Sequence, residues 1–67
     1  MNVFINNKTF TLPEKTTLSG ALNHAGINSF QGIAVAVNNH IIPKTNWDHC
    51  ILNETDSITI IRATQGG

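Results

Sequence analysis

The chain ends on two glycines, in the segment Ala63-Thr64-Gln65-Gly66-Gly67. A carboxylate is a poor electrophile, so a new bond at Gly67 first requires an activated derivative such as an acyl-adenylate, which has AMP as its leaving group. Glycines lack Cβ and let a backbone pass through a narrow cleft. The segment predicts that Gly67 is covalently modified and that Gly66 and Gln65 thread the active site of an activating partner. A frayed chain end is the plainer interpretation.

No site for a nucleotide is predicted within this chain. Its five glycines form neither G-x-G-x-x-G nor G-x-x-x-x-G-K, the two common phosphate-binding patterns. We therefore expect no cofactor bound by this chain, and we expect the activating partner to bind the ATP.

A second group of reactive residues is Asp48-His49-Cys50. These are the residue types of a cysteine triad, but consecutive side chains diverge, whereas triad members converge from separated parts of a fold. A structural zinc needs four Cys or His ligands at recognisable spacings, which His24 and His40 do not provide. We expect Cys50 to be a small buried residue, and we predict no catalytic residue and no metal site.

The composition indicates one compact domain with few charged groups. Hydrophobic residues make up 40% and charged residues 12%, and four basic residues balance four acidic ones. Without a basic excess, neither nucleic acid nor an anionic membrane is an expected partner. The start of the sequence lacks the features of a secretory signal, and the single cysteine suits a reducing compartment. We expect a cytoplasmic protein.

The first half of the chain has the pattern of a hairpin followed by a helix. Apolar and polar residues alternate over residues 2–5 and 8–12, and Asn6-Asn7 between them suits a tight turn. From Thr17 the period changes to that of an amphipathic helix, which Gly26 is placed to end. The apolar stripe of this helix consists of Leu18, Ala21, Leu22 and Ala25.

The second half predicts further strands. Residues 32–37 are apolar on both faces, and Asn38-Asn39 leads into a short strand, while residues 57–62 are rich in β-branched side chains. The order ββαβ(β)β predicts an α+β ubiquitin-like β-grasp fold, a mixed four- to five-stranded sheet with one helix on one face. We divide the chain into a domain, residues 1–63, and a flexible C-terminal Gly-Gly tail, residues 64–67.

Two exposed apolar residues are predicted on the sheet face away from the helix. Ile60 and Ile61 are adjacent, so they point to opposite faces of the last strand, and Phe4 is out of phase with its apolar neighbours. Phe4 and Ile61 are therefore a candidate docking patch, with incidental exposure as the alternative. Trp47 is expected to close one end of the core.

The sequence resembles the sulfur carriers of thiamine biosynthesis within the ubiquitin-like β-grasp superfamily. The resemblance lies in the segment Ala-Val-Ala-Val-Asn-Asn-His-Ile-Ile-Pro-Lys at residues 34–44, in Trp47 and in the terminal Gly66-Gly67. The turn Glu54-Thr55-Asp56 departs from the acidic-Gly-acidic pattern usual in that family.

This resemblance implies a cycle of activation and delivery. An activating adenylyltransferase (ThiF-like) would adenylate Gly67, and a sulfur-donating enzyme would supply the sulfur of a C-terminal thiocarboxylate. A thiazole synthase (ThiG-like) would then receive that sulfur. The chain would be a protein cosubstrate and not an enzyme.

Two related roles use the same tail. The small subunit of molybdopterin synthase shares the fold and the thiocarboxylate chemistry, whereas a ubiquitin-like modifier forms an isopeptide bond with target lysines. A stand-alone enzyme or metal protein would instead depend on Asp48-His49-Cys50.

Overall fold

A computed structural model describes residues 1–62 as a five-stranded mixed sheet with one α-helix on one face. The sheet order is β2-β1-β5-β3-β4, in which β1 and β5 are parallel and the other neighbours antiparallel. This architecture confirms the predicted β-grasp fold. The elements are β1 (Asn2–Ile5), β2 (Lys8–Thr11), α1 (Leu18–His24), β3 (Ile33–Val37), β4 (His40–Ile41), a 3-10 helix (Lys44–Asn46) and β5 (Ser57–Arg62).

Both predicted asparagine turns are present and have the same backbone geometry. Asn6 and Asn7 have φ of 48° and 70°, and Asn38 and Asn39 have φ of 50° and 71°. Two successive positive φ values define the hairpin turn whose twist matches that of the flanking strands. Asparagine tolerates this left-handed region better than most residues, which is why both turns could be predicted.

The helix begins and ends where its flanking residues indicate. The Thr17 hydroxyl accepts a hydrogen bond from the Gly20 N–H at 3.2 Å and so caps the first turn. At the other end, Gly26 has φ of 84°, a conformation that favours glycine. The helix has only seven residues, and no helix in residues 1–62 is long and apolar enough to cross a membrane.

The core lies between α1 and the sheet. Leu18, Ala21 and Leu22 are fully buried, as the apolar stripe predicted. The strands contribute a set of buried side chains, Val3, Ile5, Val35 and Ile58, with Phe10, Ile33 and Ile60 packed against them. Ala34 is exposed because it alternates with Ile33 and Val35 and so lies on the other face.

Trp47 closes one end of the core, as predicted. Its indole Nε1–H donates to the carbonyl of Ile42 at 2.8 Å, and its ring meets Phe30 edge to face at 5.3 Å between centroids. Both contacts follow from the 3-10 helix, which the sequence did not predict, because this helix turns the polar stretch after Pro43 back toward the core.

We expect truncation of Leu22 to test the core directly. Leu22→Ala should lower the free energy of unfolding by about 2 to 5 kcal/mol, since it leaves a cavity between α1 and the sheet. Urea denaturation measures this change. The matched control is Ile41→Ala, which removes the same number of atoms at a site that is 64% exposed and should cost less than about 1 kcal/mol. Equal losses for both variants would contradict the assigned core.

Candidate functional site

The predicted reactive residues Gly67, Gly66 and Gln65 lie outside the described residues, as does the predicted tail, residues 64–67. The structure shows instead the end of the strand that precedes them. Arg62 is the last residue of β5 and pairs with Ile33, the first residue of β3. Since β5 lies between β1 and β3, the segment leading to Gly67 starts from the middle strand of the sheet.

The last residues of β5 extend beyond β1. The final pair between these two strands is Ile5 with Ile58, whereas β5 continues for four more residues. On the β3 side, pairing persists to the last residue of β5. On the β1 side, the N–H of Ile60 donates at 2.8 Å to the side-chain oxygen of Asn6 in the first hairpin turn.

The sheet surface away from α1, called here the open face, carries several apolar side chains. Phe4 is 37% exposed and Ile61 is 51% exposed, and the alternation of β1 and β5 places both on this face. Ala34 pairs with Ile61, and Ala36 pairs with Ile41, which is 64% exposed. The open face thus extends over β1, β5, β3 and β4.

The pairing register of β1 and β5 places Phe4 and Ile61, the two residues of the predicted docking patch, apart along the sheet. Phe4 pairs with Ser57, which precedes Ile61 by four residues, or about 13 Å along β5. The two side chains share a face but lie toward opposite ends of it, with Thr59 between them.

Ile41 belongs to the same surface and was missed in the sequence. From the sequence alone, either residue of the adjacent pair Ile41-Ile42 could have pointed toward the core. The structure packs Ile42 against the core and leaves Ile41 on the open face. The pairing of Ile41 with Ala36 across β3 and β4 fixes this phase, and that pairing is a long-range property.

Asp48, His49 and Cys50 do not form a catalytic group. Asp48 accepts a hydrogen bond from the Ser19 hydroxyl at 2.6 Å, His49 is exposed, and no hydrogen bond joins the three side chains in the described part of the chain. Cys50 is half-buried rather than buried. Burial, with a further contribution from the Asp56 carboxylate, raises the pKa of the Cys50 thiol. The thiol is therefore protonated at neutral pH and a weak nucleophile.

No metal centre is apparent within residues 1–62. No group of three or more His, Cys, Asp or Glu side chains is placed there to share an ion. The three histidines, at positions 24, 40 and 49, lie at exposed sites.

The fold and its open face define a ubiquitin-like β-grasp protein whose middle strand leads into a C-terminal Gly-Gly segment. Residues 2–67 match the sequence model of the ThiS family, and the chain belongs to that family. The match includes the two terminal glycines. Family membership supports the coarse role predicted from the sequence, a sulfur carrier in thiamine biosynthesis and not an enzyme.

A solved structure has the same fold. The crystal structure of the thiamine biosynthesis protein (ThiS) from Geobacter metallireducens matches with a TM-score of 0.84, covering 100% of each chain at 19% sequence identity. At this identity the likeness shows the fold alone. Among curated proteins, none matches this chain.

Proposed function

We propose that this chain carries sulfur as a thiocarboxylate on Gly67 and delivers it for thiazole assembly in thiamine biosynthesis. The observation that carries the proposal is the family match, which extends over a β-grasp domain and through both terminal glycines. The chain acts as a cosubstrate, because the proposed chemistry takes place on its own terminal carboxylate, within the segment that the family match includes.

The chemistry proceeds in two balanced steps. A carboxylate oxygen of Gly67 attacks the α-phosphorus of ATP, and pyrophosphate leaves as the glycyl-adenylate forms. A sulfur nucleophile at the oxidation level of hydrosulfide then attacks the carbonyl carbon. AMP leaves with one of the original carboxylate oxygens, so the product is a thiocarboxylate with sulfur in place of that oxygen.

The folded domain fixes the point from which the segment ending in Gly67 starts. Gly67 lies five positions after Arg62, so its Cα lies at most about 18 Å from the Cα of Arg62 at the end of β5. An activating site therefore has to lie within that distance when the domain is bound. The middle strand pairs with β1 over Ser57 and Ile58 and with β3 as far as Arg62, and this pairing limits the directions from which Gly67 arrives and so favours productive placement.

The open face is the surface by which we expect partners to hold the domain. Its large apolar side chains, Phe4, Ile41 and Ile61, are exposed although one-sided sheets are usually polar on their solvent face. Ile61 is one residue from the end of β5. The proposed partners are an activating adenylyltransferase that binds ATP, a sulfur-donating enzyme and a thiazole synthase.

A delivery assay tests the pathway. The chain is first converted to its thiocarboxylate and is then offered in parallel to thiazole synthase and to the large subunit of molybdopterin synthase, each with its other substrates. We expect thiocarboxylate to be consumed with thiazole synthase. Consumption only in the molybdopterin reaction would contradict the thiamine assignment. Covalent adducts on target lysines without sulfur gain would favour a protein modifier.

We expect Cys50 to be dispensable for sulfur loading. Cys50→Ala should accept sulfur at the rate of the unsubstituted chain, because the raised pKa keeps the thiol protonated and the reaction needs only the terminal carboxylate. Mass spectrometry of the loaded chain measures this, with urea denaturation to show that the variant is folded. A folded Cys50→Ala chain that accepts no sulfur would contradict this prediction.

A further inference from the structure

The first asparagine of each hairpin turn makes the same kind of hydrogen bond to β5. The main-chain N–H of Asn38 donates to the Ser57 carbonyl at 2.8 Å, and the Ser57 N–H donates at 2.9 Å to the side-chain Oδ1 of Asn38. In a regular antiparallel pair the second bond goes to a main-chain carbonyl. The Asn38 side chain thus takes the place of the Asn38 main-chain carbonyl, which the turn has redirected.

Asn6 does the same on the other edge of β5, beside β1. Its N–H donates to the Ile58 carbonyl at 2.9 Å, and the next bond of a regular parallel ladder would return from Ile60 N–H to the main-chain carbonyl of Asn6. The Ile60 N–H donates instead to Asn6 Oδ1 at 2.8 Å. The two residues are 54 positions apart in sequence, so this bond ties the first turn to the last strand.

The hydrogen bond from Ile60 to Asn6 holds the part of β5 that extends beyond β1 and so has no neighbouring strand on that edge. Pairing with β1 ends at Ile58, and within residues 1–62 the bond to Ile60 is the last hydrogen bond on that edge. Among the strands that the structure describes, only β3 pairs with Ile61 and Arg62. Without the Asn6 oxygen, the end of β5 is fixed along a single edge and can pivot about its pairing with β3.

We propose that Asn6 is a positioning residue for the reaction at Gly67. Its side-chain oxygen fixes the direction of the last described residues of β5, Ile61 and Arg62, relative to the rest of the sheet. This inference rests on the proposed function and adds a residue to it. A partner that holds the open face then meets the end of β5 in one fixed position, which raises the fraction of encounters with reactive geometry at Gly67.

Substitutions at Asn6 can separate its hydrogen bond to Ile60 from the formation of the turn. Asn6 has φ of 48°, which glycine adopts without strain and aspartate tolerates. Asn6→Gly therefore keeps the turn and removes the acceptor, whereas Asn6→Asp keeps both. Asn38→Gly is the matched control, since it removes an equivalent bond from an equivalent turn at the start of β5, together with the bond that Asn38 Nδ2 donates to Asp56 Oδ1 at 2.9 Å.

Two measurements on the full chain test the proposal. Pyrophosphate release by the activating adenylyltransferase with ATP gives kcat and KM for each variant, and amide hydrogen exchange reports on Ile60 and Ser57. For Asn6→Gly we expect kcat to fall by about 2- to 10-fold, the effect of losing one hydrogen bond, with KM unchanged. The Ile60 amide should exchange faster by a similar factor. Asn6→Asp should restore most of both values.

The control separates positioning from stability. Asn38→Gly should speed exchange at Ser57 and leave kcat unchanged, because the start of β5 lies at the far end of the strand from Gly67. Equal kcat for Asn6→Gly and Asn38→Gly, or unchanged exchange at Ile60 in Asn6→Gly, would overturn the proposal. No pyrophosphate release with the unsubstituted chain would instead contradict the proposed function itself.

Discussion

Removal of Gly67 should reduce sulfur acceptance by at least about 100-fold while leaving the domain folded. The shortened chain still ends on a glycine carboxylate, but that carboxylate is displaced by up to about 3.6 Å toward the domain. A misplacement of about 1 Å is enough to cost roughly 100-fold in a reaction that depends on aligned atoms. An added residue after Gly67 should have the same effect, because it moves the terminal carboxylate beyond the adenylation site.

Two controls accompany this prediction. Thr64→Ala keeps the length of the segment and should load with sulfur normally. Urea denaturation should give a free energy of unfolding within about 0.5 kcal/mol of the original for the deletion, since the buried core lies within residues 1–62. A chain without Gly67 that still loads at the original rate would show that another group accepts the sulfur.

The second large effect is expected on the open face. Ile61→Asp should lower kcat/KM for adenylation by about 10- to 100-fold, mainly through KM, because a carboxylate would be desolvated where an apolar side chain is buried in the complex. Ile61 is 51% exposed, so the free domain should lose little stability. Titration of the activating enzyme with the variant, followed by pyrophosphate release, measures the change.

Ile51 provides a matched control for Ile61. It is 55% exposed and pairs with Thr17 in an isolated bridge outside the five-stranded sheet. Ile51→Asp introduces the same charge at the same exposure away from the open face, and its kcat/KM should stay within about twofold of the original. Similar losses for the two variants would show that the open face is not the docking surface.

Local chemistry explains why much of this fold was predictable. The two Asn-Asn turns and Gly26 each satisfy a requirement of one or two backbone positions, and those requirements are visible in residue type. The alternation of apolar and polar residues in the strands and the helical spacing of apolar residues in α1 then predicted which faces are buried. The bounds of β5 were predicted correctly because Ser57–Arg62 is a continuous β-branched run between turn residues.

Long-range contacts account for what the sequence did not predict. The outward direction of Ile41 depends on its pairing with Ala36, and the packing of Trp47 against Phe30 depends on the 3-10 helix that precedes Trp47. The bond between Asn6 and Ile60 joins residues at opposite ends of the chain. A turn asparagine in sequence gives no sign of which strand its side chain meets.

The candidate reactive residue was suggested by chemistry and not by geometry. A terminal carboxylate preceded by glycine needs no surrounding residues of its own chain to react, so Gly67 could be proposed from sequence without a fold. Its role stays a prediction, since residues 63–67 lie outside the described part of the chain.

The most direct test of the central claim is the mass of the intact chain after incubation with activating adenylyltransferase, ATP and a sulfur donor. We expect a gain of about 16 Da, because one carboxylate oxygen is replaced by sulfur, and fragmentation should place that gain on Gly67. Omission of ATP should prevent it. A gain of sulfur located on Cys50, or no gain in a folded chain with an active enzyme, would contradict the assignment of this chain as a sulfur carrier.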